Sequence, residues 1–526
     1  MGTKPVFSYF SAKRTQIGYQ MIRVWGGVLI GLLFSTSTAE LSAHIGVQNV
    51  FLESKAGPFP IRVTIRPPQV IPGLAEIFIR VHQGDVDQIT ALPVRYDTGR
   101  QGAPPPDIAL PVQGAPDLYR TELWFMKSGA HSVIIHVSGQ EGKGEVMVPF
   151  DAIATRTLPM SKALTIILAI MGILLIALAS SIAGAAVRFA VLPPKTHPSL
   201  QRLWGARLIA ALQLLLVLSL IYYGKNWWDA EDMEYRNNQL YQPMTVETTL
   251  DQSDPRELTL TITDKRFKQG AALLPDHGKL MHLFLIEQGV DSFAHLHPSR
   301  SAWEVFKTEL PELPIGTYRV FADITHETGF SHTLTNQISI ITPRQPTDSS
   351  RTFRDGDDSW LVASSSEGEA SAQNVSIQQL GGNEFFVNEE IELQFSIRDK
   401  TRAPITLEPY MGMKSHLVVF KKDGKVFSHL HPSGSISMAS IQAFETRLQA
   451  DRPPKVARAQ IDPFCEIPSV EASTARWWDQ EHRKAETDLS FPYAFPQAGD
   501  YKIWVQVKTQ GKIVTRSFDI AVTSSL

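Results

Sequence analysis

The sequence contains a single cysteine, and this scarcity removes several kinds of chemistry. Cys465 cannot form an intrachain disulfide, so the fold does not depend on one, and the chain has no Cys-x-x-Cys motif. It also lacks a glycine-rich phosphate loop, an HExxH motif and a nucleophile with a nearby base. We therefore expect a protein that is not an enzyme, in which Cys465 is a bystander.

A surplus of charge is missing as well. The 50 basic and 53 acidic side chains leave a formal net charge of −3 across 526 residues. Nothing in this balance favours nucleic acid as a partner. The length exceeds what one hydrophobic core supports, and it predicts roughly three or four domains.

The N-terminal region has the pattern of a signal peptide. An apolar run at 24–33 follows Arg23, is too short to span a membrane, and is followed by small residues. We predict that residues 1–43 comprise an N-terminal extension and this signal peptide, with Met21 as an alternative start.

Two cleavage positions fit the signal peptide, after Ala39 or after Ala43. The second would expose His44 as the mature N-terminus. An α-amine and an imidazole nitrogen on one residue can chelate a copper ion, so His44 becomes a candidate ligand.

Two uncharged runs predict a pair of transmembrane helices, at 163–187 and 208–224. The connection at 188–207 carries four basic residues and no acidic one. The positive-inside rule places it in the cytoplasm and the rest of the chain outside. Neither run contains Asp, Glu, Lys, Arg or His, so the helices are expected to anchor the chain rather than to transport.

Outside the membrane, alternating apolar and polar residues predict three β-sandwich domains of an immunoglobulin-like or cupredoxin-like kind. The first spans 44–155, the second 243–343 and the third 375–526. Residues 344–374 are rich in Ser, Asp, Glu and Gly and are expected to form a flexible linker. The third domain contains an insertion at 435–489 without predicted regular structure.

What the sequence does contain is a histidine pattern that occurs twice. His282 is followed after twelve residues by His295-Leu296-His297-Pro298, and His416 is followed after twelve residues by His429-Leu430-His431-Pro432. All three histidines recur at one constant offset, which indicates an internal duplication. Three imidazoles in each copy are a set of ligands typical of a metal site.

Each copy is predicted to form a β-hairpin. Asp423-Gly424 between two alternating runs is a strong hairpin signal, and Gly289-Val290 occupies the same place in the first copy. A two-residue turn there sets the first and last histidines of each copy opposite each other. The three imidazoles of a copy then project from one face, with neighbouring Cβ atoms roughly 5 Å apart. The same faces carry an apolar stripe formed by Phe284, Ile286, Phe293, Val418, Phe420 and Phe427.

These hairpins predict two metal sites, one on each of two outward-facing sandwiches. Copper is the expected metal, because imidazole sites favour Cu(II) in the affinity order and nearby methionines can hold Cu(I). Zinc is the competitor, since three histidines and one open position suit it as well. Weaker candidate ligands lie elsewhere in the chain: His44, His277, Asp323, His326, His332, Met411 and Met413.

Two other functions remain open. In one, the domains form an interaction scaffold for an envelope assembly, and the histidines only rigidify the hairpins. In the other, a metal-dependent enzyme uses the open coordination position of a triad, although no general base is visible beside the hairpins. Convergence of three imidazole nitrogens on a common point would favour metal binding over the scaffold.

Two segments of the first domain resemble a known group. The sequences AGPFPI at 56–61 and PPQVIPG at 67–73 are similar to those of YtkA-like and FixH-like periplasmic domains of bacteria. The resemblance covers the first domain and, more loosely, the other two. It implies an immunoglobulin-like fold and an envelope location, so that the protein is expected in the bacterial inner membrane with the bulk of the chain in the periplasm. It also implies envelope or respiratory-oxidase assembly proteins as partners in copper handling.

Overall fold

The computed structural model describes residues 49–193, 195–242, 244–253, 256–263, 272–342, 355–362, 375–382, 384–449 and 488–524. The predicted signal peptide, His44 and Cys465 lie outside these residues. Strands predominate in the described part, and two long apolar helices accompany them. This confirms the expectation of a mainly β protein with several sheets and a pair of long helices.

The first β-sandwich is built from eight antiparallel strands. They are β1 Val50–Ala56, β2 Phe59–Arg66, β3 Gly73–Val81, β4 Val86–Arg95, β5 Asp107–Val112, β6 Ala115–Phe125, β7 Gly129–Gly139 and β8 Gly142–Ala152. Buried and partly exposed residues alternate strictly along β3, as expected for a strand with one face on a core. The start of β5 pairs with β4 and its end pairs with β6, so this strand joins the two halves.

Two long helices follow the first sandwich, α1 at Lys162–Phe189 and α2 at Leu200–Glu234. The side chains of Ser161 and Ser199 cap their N-termini by accepting backbone N–H hydrogen bonds. Both helices are long and apolar enough to cross a membrane, and their apolar stretches are almost entirely unburied. The second begins inside the predicted basic loop and extends beyond the predicted span 208–224, because charged residues at its ends are also good helix formers.

The second β-sandwich has two sheets. Its strands are β9 Val246–Leu250, β10 Glu257–Ile262, β11 Leu273–Leu274, β12 His282–Glu287, β13 Ser292–Leu296, β14 Ser299–Ala302, β15 Val305–Glu309, β16 Gly316–His326, β17 Ser331–Ile340 and β18 Ser359–Val362. One sheet has the order β14-β15-β10-β9. The other has the order β11-β16-β12-β13-β18, with β17 also paired to β16. The first histidine hairpin is β12–β13, near the middle of the second sheet.

The third β-sandwich repeats this plan. Its strands are β19 Val375–Leu380, β20 Glu384–Phe386, β21 Ile391–Asp399, β22 Ser415–Lys421, β23 Phe427–Leu430, β24 Asp488–Tyr493, β25 Gly499–Thr509 and β26 Lys512–Thr523. The sheets have the orders β19-β21-β24 and β20-β26-β25-β22-β23. The second histidine hairpin is β22–β23, and β25 flanks it as β16 flanks the first hairpin.

Two segments differ from their sequence-based expectation. Residues 355–362 lie in the predicted flexible linker, yet they form a turn and strand β18, which pairs with β13. The linker prediction is wrong for these residues, because the polar residues of this stretch form specific hydrogen bonds instead of contacting solvent alone. The predicted irregular insertion contains a helix, α3, at Met438–Gln449. Ile436, Met438 and Ile441 bury their side chains in the core of the first sandwich, which the local sequence does not reveal.

The first sandwich also contacts the third through the residues that follow the second histidine pair. The N–H of Glu53 donates to the carbonyl of Ser433 (2.8 Å), and the N–H of Ser435 donates to the carbonyl of Phe51 (3.1 Å). Gly434 has φ 125°, and a Cβ there would lie 2.0 Å from the Phe51 carbonyl oxygen. Only glycine fits this close approach. The end of the second hairpin is therefore held between two domains.

Candidate metal centre

The registers of both hairpins are those predicted from the two-residue turns. Leu283 pairs with Leu296 in β12–β13, and Leu417 pairs with Leu430 in β22–β23. One step further along each ladder, the first and last histidines of a copy stand opposite each other. The three imidazoles of each copy therefore share a face, as predicted.

The two histidine faces do not point outward, and that prediction is wrong. They pack against each other across the interface of the second and third sandwiches. The rings of Phe284 and Phe427 lie 5.2 Å apart between their centroids. Phe293 stacks on Trp504 at 4.6 Å, and Phe321 stacks on Phe427 at 4.4 Å. The apolar stripes explain this arrangement, because packing two of them together removes both from water.

This packing merges two expected sites into one cluster of imidazoles. The ring centroids of His282 and His429, from different copies, are 5.3 Å apart, which matches the spacing of rings within a copy. His282 and His295, for comparison, are 5.4 Å apart. His295 also lies 6.0 Å from His416 of the other copy. The rings of both copies therefore form one continuous buried group.

The first triad brings three nitrogens together. Nδ1 of His282 lies 3.2 Å from Nε2 of His295, which lies 3.2 Å from Nε2 of His297. Nitrogens bound tetrahedrally to one ion at about 2.0–2.1 Å lie about 3.3 Å from each other. These two distances therefore match those between ligands of one metal ion, and all three nitrogens lie within 4.8 Å of one another.

The partners of these rings decide where their protons are. Each ring donates its other N–H to an oxygen outside the triad: His282 Nε2 to the Asp276 carbonyl (3.1 Å), His295 Nδ1 to Gln506 Oε1 (2.9 Å) and His297 Nδ1 to Asp358 Oδ1 (3.1 Å). A carbonyl oxygen can only accept, so each neutral ring keeps its lone pair on the nitrogen inside the triad. Three lone pairs then face one another without a proton between them. A cation at that point would satisfy all three.

The second triad repeats part of this arrangement. Nδ1 of His416 lies 3.1 Å from Nε2 of His429, and Nε2 of His416 donates to the Tyr410 carbonyl (3.1 Å). His431 completes the triad: one ring nitrogen of each of its three histidines lies within 4.8 Å of the other two. His431 itself is 2% exposed, and neither of its ring nitrogens has a hydrogen-bond partner among the described residues.

A seventh histidine, His277, lies beside the second triad, where one of its ring nitrogens, one of His431 and a carboxylate oxygen of Asp276 lie within 4.8 Å of one another. Its side chain is fully buried, and its ring centroid lies 4.6 Å from that of His431 and 5.6 Å from that of His416. Both of its ring nitrogens lack a hydrogen-bond partner within the described part of the chain. Buried polar groups of native proteins are nearly always paired, so the ring nitrogens of His277 and His431 are candidates to bind a ligand.

Burial keeps the imidazoles of the triads neutral. It lowers the pKa of His282 to about 4 and that of His431 to about 3. Burial, and then the neighbouring rings, lower the pKa of His295, His416 and His429 as well. At neutral pH these rings are unprotonated, which is the form that binds a metal ion.

Three carboxylates border the cluster and would offset the charge of bound cations. Asp358 accepts from His297, while a carboxylate oxygen of Asp276 lies 3.8 Å from Nε2 of His277. An oxygen of Asp323 lies 3.8 Å from Nδ1 of His429, and burial raises the pKa of Asp323 to about 7.

A cavity of about 240 Å³ lies against one side of the cluster. His282, His429 and His431 line it, as do Asp276 and Asp323. Residues of the first sandwich complete its wall, including Phe150 and Asp151. The cavity therefore leaves free volume beside three of the histidines.

The weaker candidates that the structure describes fall into three groups. His277 and Asp323 lie at the cluster, and Met411 and Met413 are buried in the turn before β22. His326 and His332 contact each other at 4.8 Å, and His332 lines the cavity, but neither belongs to a triad. Sequence reasoning missed Asp276, Asp358 and Gln506. Asp276 directly precedes His277, and this proximity was a usable signal, whereas only the fold brings Asp358 and Gln506 to the rings.

One family model matches the two histidine domains. Residues 240–340, 370–457 and 471–524 match the family model described as a domain of unknown function (DUF8832). One model thus spans both copies of the histidine pattern. It matches none of residues 44–155, so the resemblance of the first domain to YtkA-like and FixH-like domains stays a prediction. No curated protein matches the chain.

The solved structures that are similar to this chain have very low TM-scores. A copper-bound variant of FetP from uropathogenic Escherichia coli is 11% identical, with a TM-score of 0.17 over 22% of this chain and 99% of its own. The FN1–FN3 domains of chicken CNTN1 are 8% identical, with a TM-score of 0.12 over 89% and 100%. A putative membrane-anchored protein of Corynebacterium diphtheriae is 10% identical, with a TM-score of 0.14 over 88% and 89%. These scores are too low to indicate a shared arrangement of domains.

Proposed function

We propose that this chain is a membrane-anchored metal-binding protein of the bacterial envelope, whose buried histidine cluster binds two copper ions. Each triad contributes three nitrogens to one ion. The two long helices hold the chain at the inner membrane, and the sandwiches lie in the periplasm. The protein binds copper and delivers it to envelope or respiratory-oxidase assembly proteins, and it does not act as an enzyme.

One observation carries the proposal: three ring lone pairs point at each other in the first triad. His282, His295 and His297 each donate their only N–H to an oxygen outside the triad. The nitrogens that remain approach to 3.2 Å with no proton between them, which is unfavourable unless a cation lies there. The scaffold alternative does not account for this geometry, because rings that only support a fold would be paired with donors.

The chemistry of the donor atoms favours copper over zinc as the bound metal. Neutral imidazoles bind both metals, and the affinity order for divalent ions places copper above zinc. The buried carboxylates supply negative charge that stabilises a divalent cation in an apolar interface. Zinc remains the competitor at an all-nitrogen site.

Metal content is the first prediction. The full-length protein purified in detergent and equilibrated with copper is expected to retain two ions per chain after desalting. A double variant, His295→Leu with His429→Leu, removes the central nitrogen of each triad and is expected to retain almost none. Elemental analysis by mass spectrometry measures both.

The matched control changes two histidines of the first sandwich, His82→Gln with His136→Gln. Their side chains are 37% and 39% exposed and lie outside the cluster. This control should retain two ions. Equal copper in the wild type and the His295→Leu, His429→Leu variant would rule out the cluster as the site.

Orientation in the membrane gives a second prediction. In a Cys465→Ser background, a cysteine at exposed Lys512 in the third sandwich should react with a membrane-impermeant maleimide in intact cells with a permeabilised outer membrane. A cysteine at exposed Thr196, between the helices, should react only after lysis. Labelling of Thr196→Cys before lysis would contradict the proposed orientation.

A further inference from the structure

The two histidine domains are related by a local two-fold symmetry. Phe293 of the second domain stacks on Trp504 of the third, at 4.6 Å and 14° between the ring planes. Phe427 of the third stacks on Phe321 of the second, at 4.4 Å and 4°. Phe293 and Phe427 hold the same position in the two hairpins. Each hairpin therefore makes the same stacking contact with the opposite domain.

The central histidines follow the same symmetry. His295 donates to Gln506 of the third domain, and His429 approaches Asp323 of the second at 3.8 Å. Asp323 pairs with the first residue of β12, and Gln506 pairs with its counterpart in β22. Each central ring therefore reaches the equivalent position of the other domain.

The turns before the two histidine strands are also equivalent. The turns at 276–279 and 410–413 each close with two backbone hydrogen bonds between their first and last residues. The carbonyl of the first residue, Asp276 or Tyr410, accepts from the strand histidine at 3.1 Å in both copies. The second residue, His277 or Met411, has φ 51° in both. Positive φ is unfavourable for residues other than glycine, so both turns hold this side chain in place at a cost in conformational energy.

In the first copy, this turn residue lies closer to the triad of the other copy than to its own. The ring of His277 is 4.6 Å from His431 and 5.6 Å from His416, but 6.3 Å from His282 of its own copy. Its fully buried nitrogens have no hydrogen-bond partner among the described residues, and one of them lies within 4.8 Å of a ring nitrogen of His431, on the side where a fourth donor would be needed.

The symmetry places Met411 in the matching position beside the first triad. Its neighbour Tyr410 donates through its hydroxyl to the carbonyl of Asp357 (3.0 Å), and the next residue, Asp358, accepts from His297. The turn that carries Met411 is therefore attached to the segment that holds His297. Met411 is 8% exposed, so it is buried as its counterpart His277 is.

We propose that the two copies exchange their fourth ligands: His277 completes the site of His416, His429 and His431, and Met411 completes the site of His282, His295 and His297. One site then has four nitrogens, and the other has three nitrogens and a thioether sulfur. A soft thioether favours Cu(I), whereas an all-imidazole set suits Cu(II) or zinc. This inference rests on the proposed function, because it assigns further donors to the same centre.

X-ray absorption on the full-length protein loaded with Cu(I) tests the exchange. The wild type should show sulfur scattering equivalent to one thioether for every two copper ions. Met411→Leu conserves volume and removes the donor, so sulfur scattering should vanish and Cu(I) affinity should fall while Cu(II) stays bound at the other site. The matched control is Met413→Leu, a change of a buried methionine in the same turn, which should keep the sulfur signal.

His277→Leu should have the complementary effect, with sulfur scattering intact and the nitrogen coordination of the other site reduced. Copper binding without sulfur scattering, or loss of the signal in Met413→Leu instead of Met411→Leu, would overturn the exchange and leave the proposed function intact. Failure of the wild type to bind copper in either oxidation state would overturn the proposed function together with the exchange.

Discussion

Removal of both metal ions by a chelator is expected to lower the Tm of the full-length protein by on the order of 20 °C. Binding at a thousandfold excess over Kd stabilises a folded protein by about 4 kcal/mol per site. For a domain of 150–250 residues, each kcal/mol corresponds to roughly 2–4 °C. The histidine domains are comparable in size to such a unit, and the cluster lies in their interface, so both domains should respond.

Differential scanning calorimetry of the chelated and copper-loaded protein measures this shift. The His295→Leu, His429→Leu variant is the control, because it lacks a complete triad and should melt at one temperature with or without copper. If the Tm of the wild type is the same with chelator and with copper, the interface does not contain a metal centre.

His431→Leu is expected to stabilise the metal-free protein while it removes one of the two ions. Both ring nitrogens of His431 are buried without a hydrogen-bond partner among the described residues. An unpaired buried polar group costs about 1–3 kcal/mol, and an apolar side chain of similar volume avoids this cost. The metal-free variant should therefore gain stability of about that size, whereas the copper-loaded variant should be less stable than the loaded wild type.

His297→Leu is expected to change the stability of the metal-free protein in the opposite direction. Nδ1 of His297 donates to the buried carboxylate of Asp358, so this substitution leaves Asp358 with one donor fewer and should destabilise the metal-free protein. Urea titrations of the metal-free proteins compare the two. If His431→Leu is also destabilising without metal, its ring has a structural role, and the cluster is less specialised for metal than proposed.

The local part of the site could be predicted from the sequence. The Asp423-Gly424 turn set the hairpin register, and the period of two set which side chains share a face with His416. What the sequence could not supply was the surface opposite that face. The apolar stripe that includes Phe284 and Phe427 was visible, but a stripe shows only that burial occurs and does not identify its partner. The contacts of His295 with Gln506, and of His297 with Asp358, join residues that no local pattern connects.

The secondary structure shows the same limit. Strand β18 was missed because the composition of its surroundings is that of a linker, and its pairing with β13 depends on a neighbour more than 60 positions away along the chain. Helix α3 was missed because its apolar residues are buried by the first sandwich and not by its own domain. Tertiary contacts determined both elements.

The local two-fold symmetry also bears on how such a centre could arise. An interface in which each half presents the same patch to the other is the isologous interface of a symmetric homodimer. Here both halves belong to one polypeptide, so the chain has the geometry of two subunits joined end to end. In a true homodimer, one codon would fix both turn positions, and the two metal sites would be identical. Joining the halves let His277 and Met411 differ, so a single gene can encode two unlike sites at one symmetric interface.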